Sequence, residues 1–348
     1  MTRSRGTGGV PTLADVARHA HVSTATVSRC LNSPDQVVGI TRERVLQAVA
    51  DLGYAPNFSA RALAAKQTNT VGAIIPTMEN AVFARGIQAF QEELGRHGKT
   101  LLVASSAYQP RLEDEQVRTL VARGADALLL IGYDRSDALY AFLSRRAIPT
   151  LVAWSYEEGK DQVAIGFDNA AAMAELTRLV IANGHRRIAC ISAPTADNDR
   201  ARRRVDGIRR TLRDAGLDGD GMAYIETPYG IENGEVAFRQ IMATAPETTA
   251  VMCVNDVLAI GALRAAREMG LRVPEDVSVT GFDDIEIAML AEPSLTTVHV
   301  PHREMGRRAA AMLLGMLQQD VPPPDSVKLP TDIRLRKSLG RRGAQGGA

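Results

Sequence analysis

Two kinds of hydrophobic spacing divide the 348-residue chain. From residue 71 onward, short continuous apolar runs alternate with longer amphipathic stretches. The runs are VGAIIP (71–76), TLLVAS (100–105), ALLLIG (127–132) and PTLVAW (149–154), then VAIGF (163–167), RIACIS (187–192), AVMCVN (250–255) and VSVTGF (277–282). Between them, helical candidates span 80–97, 113–123, 136–146, 169–183, 199–215, 231–244 and 256–269, and 302–319 reads as a late helix. A continuous apolar run implies a strand covered on both faces. Such strands, separated by helices, build parallel sheets of the doubly wound type. Two series of runs predict two α/β subdomains, with chain crossings near 155–162 and 290–300. Ligands of such folds collect at the carboxyl ends of the strands, here the cleft between the halves.

The front of the chain has a different rhythm. In TLADVARHAHVSTATVSRCLN (12–32), Thr12 can cap a first helix, with Asp15 at its third position. Ala20-His21-Val22 forms a turn, and Ser23 can cap a second helix, Thr24–Asn32. Val27 and Leu31 are i, i+4 neighbours and point inward, while Ala25, Ser28, Arg29 and Asn32 share the opposite face. Thr41 is expected to open a third helix with Val45, Val49 and Leu52 as its apolar stripe, closed by Gly53. Two short helices joined by a tight turn and braced by a third form a helix-turn-helix. A small polar face carrying one arginine suits a major groove. A structural hairpin with a solvated face fits the pattern alone equally well.

Charge is unevenly distributed along the chain. Residues 1–68 hold eight Lys/Arg against four Asp/Glu, residues 69–333 hold 28 against 36, and the last fifteen add five cations and no acid. A basic head on an acidic body fits a polyanionic partner for the head. Cys30, Cys190 and Cys253 lie far apart with no metal spacing, which fits buried thiols in a reducing compartment. No apolar run approaches the roughly 20 residues of a membrane span, and MTRSRGTGGVP lacks the apolar region of a signal peptide. These features predict a cytoplasmic protein without a membrane partner.

An enzyme is the first competing reading. No GxGxxG follows the first strand and no GxxxxGK[ST] occurs. Asp256, Asp283 and Asp284 are explained by capping and hydroxyl binding, and His19 and His21 have no partners at metal spacing. No catalytic role, cofactor or metal is expected. A solute-binding protein would share the body, but it would need an export signal and no DNA-binding head.

The front segment, with TRERVLQAVADLGYAPNFSARALAAKQTNTVGAIIP, resembles the head and hinge of the Lac repressor family of bacterial transcription regulators. The resemblance continues through NGHRRIACIS, RRRVDGIRRTLRDAG, VNDVLAIGALRAAREMGLRVPEDVSVTGFDD and PSLTTVHVPHREMG. It implies a small all-α helix-turn-helix head, a hinge helix, and an α/β body of two doubly wound subdomains like periplasmic binding proteins. The expected divisions are a disordered tail (1–11), the DNA-binding domain (12–53), the hinge and linker (54–69), the effector and dimerisation domain (70–338) and a second disordered tail (339–348). Within the body, one subdomain takes about 70–160 plus 290–325, the other 161–289 plus 326–338.

Carried over residue by residue, the resemblance assigns base readout to Thr24, Ala25 and Arg29, and phosphate contacts to Ser23, Thr26, Ser28 and Asn32. Helix packing is the competing role for Thr26. A hinge helix this short is unstable alone in water. In the family it enters the minor groove, with Asn57 initiating the turn, Ala60 allowing close pairing and Leu63 wedging a base step. A plain linker with Leu63 packed on the body is the alternative. Effector contacts map to Asn80, Phe83, Arg204, Asn255 and Asp283, with Trp154 at the cleft mouth either stacking on a sugar or packed in the core.

Departures narrow the ligand. Ala153 and Val300 stand where a galactoside-binding member carries an acid and a glutamine. PTMENAVFARGI and VAIGFDN resemble the gluconate repressor branch, which implies a sugar or sugar-acid effector such as gluconate. The expected function is a repressor binding double-stranded DNA at a pseudo-palindromic operator. A homodimer is expected, and no leucine heptad precedes the C-terminus to support a tetramer.

Overall fold

The computed structural model describes residues 10–32, 34–55, 67–79, 81–318 and 322–342. The chain separates into two compact units, Met1–Thr68 and Asn69–Ala348.

The first unit carries α1 (Leu13–His19), α2 (Thr24–Asn32), a 3-10 turn (Pro34–Gln36) and α3 (Gly39–Leu52). Thr12 and Asp15 form a reciprocal capping box at the start of α1, a device worth about 1 kcal/mol. At α2 the Thr26 N–H donates to Ser23 Oγ at 3.1 Å. The three helices close over Val16, Ala17, Val27, Cys30, Val45 and Ala48. The start of α3 differs from expectation. Val38 is its N-cap, with the Val38 carbonyl accepting from the Thr41 and Arg42 N–H groups. Thr41 therefore lies inside the first turn, and α3 begins without a side-chain cap. Gly53 ends it at φ 62, the left-handed conformation that a glycine adopts without strain.

The second unit runs, in chain order, β1 (Thr70–Ile75), α4 (Ala84–Arg96), β2 (Thr100–Ser105), α5 (Pro110–Ala122), β3 (Ala127–Ile131), α6 (Asp137–Arg145), β4 (Thr150–Ala153) and β5 (Ala164–Gly166). It continues with α7 (Asn169–Ala182), β6 (Ile188–Ser192), α8 (Asp199–Asp214), β7 (Tyr224–Glu226), α9 (Ile231–Thr244), β8 (Ala250–Cys253), α10 (Asp256–Glu268), β9 (Ser278–Asp283), α11 (Glu286–Leu290) and β10 (Thr296–His299). The chain ends on α12 (His302–Met316), β11 (Val327–Lys328) and β12 (Asp332–Arg334).

Two six-stranded sheets form two lobes, in the orders β11-β5-β4-β3-β1-β2 and β12-β10-β9-β8-β6-β7. Every pairing is parallel except β10 with β12. Most of the continuous apolar runs are buried as expected, β3 and β6 along their whole length, whereas β2, at a sheet edge, is exposed or half-buried throughout.

The lobe boundaries differ from the sequence expectation at three strands. β5, expected in the second lobe, pairs with β4 of the first. β10, inside a stretch expected with the first lobe, pairs with β9 of the second. β11 returns to β5 although 326–338 was expected in the second lobe. The chain thus crosses after β5, before α12, which packs on α4, and between β11 and β12. Such short strands are placed by pairing partners, and local hydrophobic spacing carries no record of those.

Candidate functional site

On α2, Ser23, Thr24, Ala25 and Arg29 are exposed, while Thr26 and Ser28 are half-buried. The inward positions Val27 and Cys30 are buried in the helical core. Arg29 forms no ion pair among the described residues. Ser23 Oγ and Thr26 Oγ1 lie 2.9 Å apart and share a hydrogen bond. Thr26 thus takes part in the bonding at the helix start. Ser23 caps the same turn while remaining exposed. The side chain of Asn32 and the whole of Asn57, Ala60, Leu63 and Asn80 lie outside the described residues.

In the body, a pocket opens to solvent between the two lobes. Phe83, Trp154, Arg204, Asn255 and Asp283, expected from the sequence as effector contacts, all line it. Phe83 precedes α4 and Trp154 follows β4, so both come from the first lobe. Arg204 lies on α8, Asn255 caps α10 and Asp283 ends β9, so the second lobe supplies the polar set. The Asn255 side-chain Oδ1 accepts from the Leu258 N–H at 2.9 Å.

Arg204 is the most constrained of these groups. It is 4% exposed. Its Nε donates to Asn169 Oδ1 at 2.8 Å, one terminal nitrogen donates to the Val254 carbonyl at 2.6 Å, and the other lies 3.4 Å from Asp283 Oδ1. The guanidinium also stacks 3.7 Å from the Phe282 ring centroid. Burial pushes the Asp283 carboxyl up to about 6, against the opposing pull of Arg204 and Arg200.

Trp154 differs from its expected place at the cleft mouth. It is 1% exposed, sits edge-on to Phe83, and donates its indole N–H to His302 Nδ1 at 3.1 Å. Gly86 packs so closely that a Cβ there would overlap the indole ring. The tryptophan is a packed wall of the chamber. Since His302 Nδ1 accepts, Nε2 carries the proton and donates to the Asp283 carbonyl at 3.1 Å. Burial holds His302 neutral and pulls its pKa down to about 4. One histidine thereby ties Trp154 of the first lobe to Asp283 of the second.

Further bonds join the lobes beside the chamber. The Tyr133 N–H donates to Asp199 Oδ2 at 2.7 Å, and Arg200 donates to the Ile131 carbonyl at 2.9 Å. Arg202 reaches both carboxylate oxygens of Asp134, at 2.7 and 2.8 Å. Gly132, at φ +73, admits this contact because a Cβ would collide with Asp199 and Arg200.

Tyr108, Arg200 and Tyr229 also line the chamber and carried no role in the sequence analysis. Arg200 precedes Arg204 by four on α8, so helical spacing could have found it. Asn169 and His302 sat unassigned within VAIGFDN and PHREMG. Tyr108 and Tyr229 come from loops of opposite lobes, and no periodicity marks them.

Among the described residues, no group of three or more His, Cys, Asp or Glu is placed to hold a metal ion. No described helix is long and apolar enough to cross a membrane.

A helix-turn-helix with an exposed polar face, on the same chain as a two-lobed body enclosing a polar chamber, defines a DNA-binding regulator of the ligand-responsive class. Residues 12–57 match the lacI family of bacterial regulatory proteins, and residues 177–339 match a periplasmic binding protein-like domain. The chain is 34% identical to the HTH-type transcriptional repressor PurR of Vibrio atlanticus, covering 88% of this chain and 92% of that protein. It is 32% identical to the HTH-type transcriptional regulator GntR of Pseudomonas aeruginosa, covering 95% and 96%. The lac repressor dimer bound to operator and the anti-inducer ONPF superposes with a TM-score of 0.84 at 27% identity, covering 95% and 100%. The chain belongs to the lacI family and is a DNA-binding transcriptional repressor of that type, not an enzyme. PurR and GntR stand nearly level in identity, so overall likeness does not single out the gluconate branch.

Proposed function

We propose that the protein represses transcription as a homodimer on a pseudo-palindromic operator and is controlled by a sugar acid bound between the lobes of its body. On α2, Thr24, Ala25 and Arg29 read base edges, with Arg29 donating to guanine. Ser23, Thr26, Ser28 and Asn32 contact phosphates, and Asn57, Ala60 and Leu63 engage the minor groove. A second copy covers apolar surface that this chain leaves open. Edge strand β2 exposes Leu102 and Val103, and α11 exposes Met289 and Leu290.

The observation that carries the effector reading is the pair of guanidiniums in the chamber wall. Arg200 and Arg204 both line it, and each already has a carboxylate partner, Asp199 for Arg200 and Asp283 for Arg204, so they offer directed N–H donors and not a net positive charge. Such donors suit the carboxylate of a sugar acid, while Asn255 and Asp283 suit its hydroxyls. Closure of the two lobes couples the ligand to DNA binding, a coupling of about 1–3 kcal/mol in typical systems.

Selection of DNA fragments by the purified protein, followed by release assays with gluconate and neutral sugars, tests this reading. The expected result is a two-half-site sequence bound by a dimer, with affinity altered by the acid. A protein that is monomeric on every fragment, or a response only to neutral sugars, overturns the corresponding part.

A further inference from the structure

A second pocket lies in the same cleft. Ser106, Glu113, Asp134 and Asp199 are among its walls. Among the described residues, only Tyr108 and Arg200 line both it and the effector chamber, so these two residues stand at the boundary of the chambers. Arg200 is locked in that position by Asp199 and the Ile131 carbonyl.

Tyr108 is held differently. It sits in the loop between β2 and α5, where Ala107 and Tyr108 are consecutive non-glycine residues in the left-handed region, at φ 48 and 57. Such backbone persists only where the surroundings over-determine it, and it clusters at ligand clamps. The Tyr108 ring meets the ring of Tyr229 from the other lobe, with centroids 5.4 Å apart and planes tilted by 49°. Its phenol O–H has no hydrogen-bond partner among the described residues. Burial, with Tyr229 beside it, keeps that phenol protonated well beyond the ordinary tyrosine range. Among the described residues, the group is thus a donor with no protein acceptor, at the boundary of two chambers.

We propose that Tyr108 is a specificity-determining gate: with Tyr229 it covers the bound effector, donates its O–H to it, and bars the second chamber, so that only single-unit ligands fit. The proposal rests on the reading of the first chamber as the effector site. It goes beyond that reading by setting the ligand's length. A one-unit sugar acid fills the space between Arg204 and Tyr108. A two-unit sugar acid would have to thread past the tyrosine into the carboxylate-rich second chamber. Removing the ring joins the two cavities, and removing only the hydroxyl keeps them apart.

Calorimetric titration of the full-length protein with gluconate and cellobionate separates these effects. Wild type is expected to bind gluconate and reject cellobionate. Tyr108→Phe is expected to lose about tenfold in gluconate affinity and to keep the rejection, since only a hydrogen bond is lost. Tyr108→Ala is expected to weaken gluconate further and to gain cellobionate binding. An unchanged ratio of the two affinities in Tyr108→Ala, with its melting temperature retained, overturns the gate. Should wild type bind neither acid, the sugar-acid reading fails and the gate is judged on Trp154, the chain's one tryptophan. Acrylamide quenching of Trp154 is then expected to rise severalfold in Tyr108→Ala and not in Tyr108→Phe. Equal quenching in all three proteins overturns the proposal.

Discussion

Thr24, Ala25 and Arg29 stand exposed on α2, while Arg204, Asn255 and Asp283 are each at most 4% exposed around the chamber. The first surface is built almost without tertiary support: its outward side chains can be exchanged without opening the core of Val16, Val27 and Val45. In the second, every polar group is also a structural member. Arg204 satisfies Asn169 and the Val254 carbonyl before any ligand arrives, and Asn255 caps α10. Under the proposed roles, the face of α2 can change its sequence preference at little cost to the fold, whereas a change of effector must preserve a buried network.

The sharpest break in this comparison is expected at Arg204. Arg204→Ala leaves Asp283 buried without its closest cation and strips Asn169 Oδ1 and the Val254 carbonyl of their donors. Removing one partner of a buried charge pair costs about 3–5 kcal/mol. Thermal or denaturant unfolding should therefore show a large loss of stability together with loss of effector binding. A variant that melts like wild type would place Arg204 among freely exchangeable ligand contacts and remove the contrast with α2.

Arg29→Ala is the counterpart on the other surface. Arg29 is exposed and forms no ion pair among the described residues, so stability should move by less than about 0.5 kcal/mol. Operator affinity should fall by about 1–3 kcal/mol, with relaxed preference at one base pair and little change on nonspecific DNA. Equal losses on specific and nonspecific fragments would mark Arg29 as a phosphate contact instead.

The same contrast explains what could be read from sequence. Thr12, Ser23 and the helix Thr24–Asn32 were legible because caps and i, i+4 spacing are local properties. The apolar runs of β1, β3, β6 and β9 were legible because burial on both faces leaves no polar alternation. Arg204, Asn255 and Asp283 came from motifs, and all three line one cavity. His302, Asn169 and Tyr108 were not found. Their roles arise when loops and helix starts from different lobes meet, which no single stretch encodes. β7, β10, β11 and β12 were missed for a related reason: each has only two to four residues and is defined by the strand beside it.

The smallest effect is a pH dependence confined to the chamber wall, where two buried groups act in opposite directions. Burial raises Asp283 to about 6 from 3.8, so around pH 5 the folded protein holds a proton that the unfolded chain releases. That contribution to stability is complete at low pH and is lost as pH rises through 6. His302 is depressed to about 4 from 6.5, so the folded protein lacks a proton that the unfolded chain binds. Its contribution is complete above 6.5 and is lost as pH falls through 4. Wild type should therefore show a shallow net slope from this pair between pH 4.5 and 6, where the two terms offset each other. Asp283→Asn removes the first term and keeps an oxygen facing Arg204, so its stability should fall more steeply on acidification. Asp256 is raised too, by burial first and then by the Asp283 charge, so Asp283→Asn lessens its contribution as well and steepens the fall in the same direction. Thermal melts of the two proteins across that range measure it, at roughly 2–4 °C for each kcal/mol. Parallel curves would mean that Asp283 does not titrate there, and that the chamber wall is as indifferent to protons as the exposed face of α2.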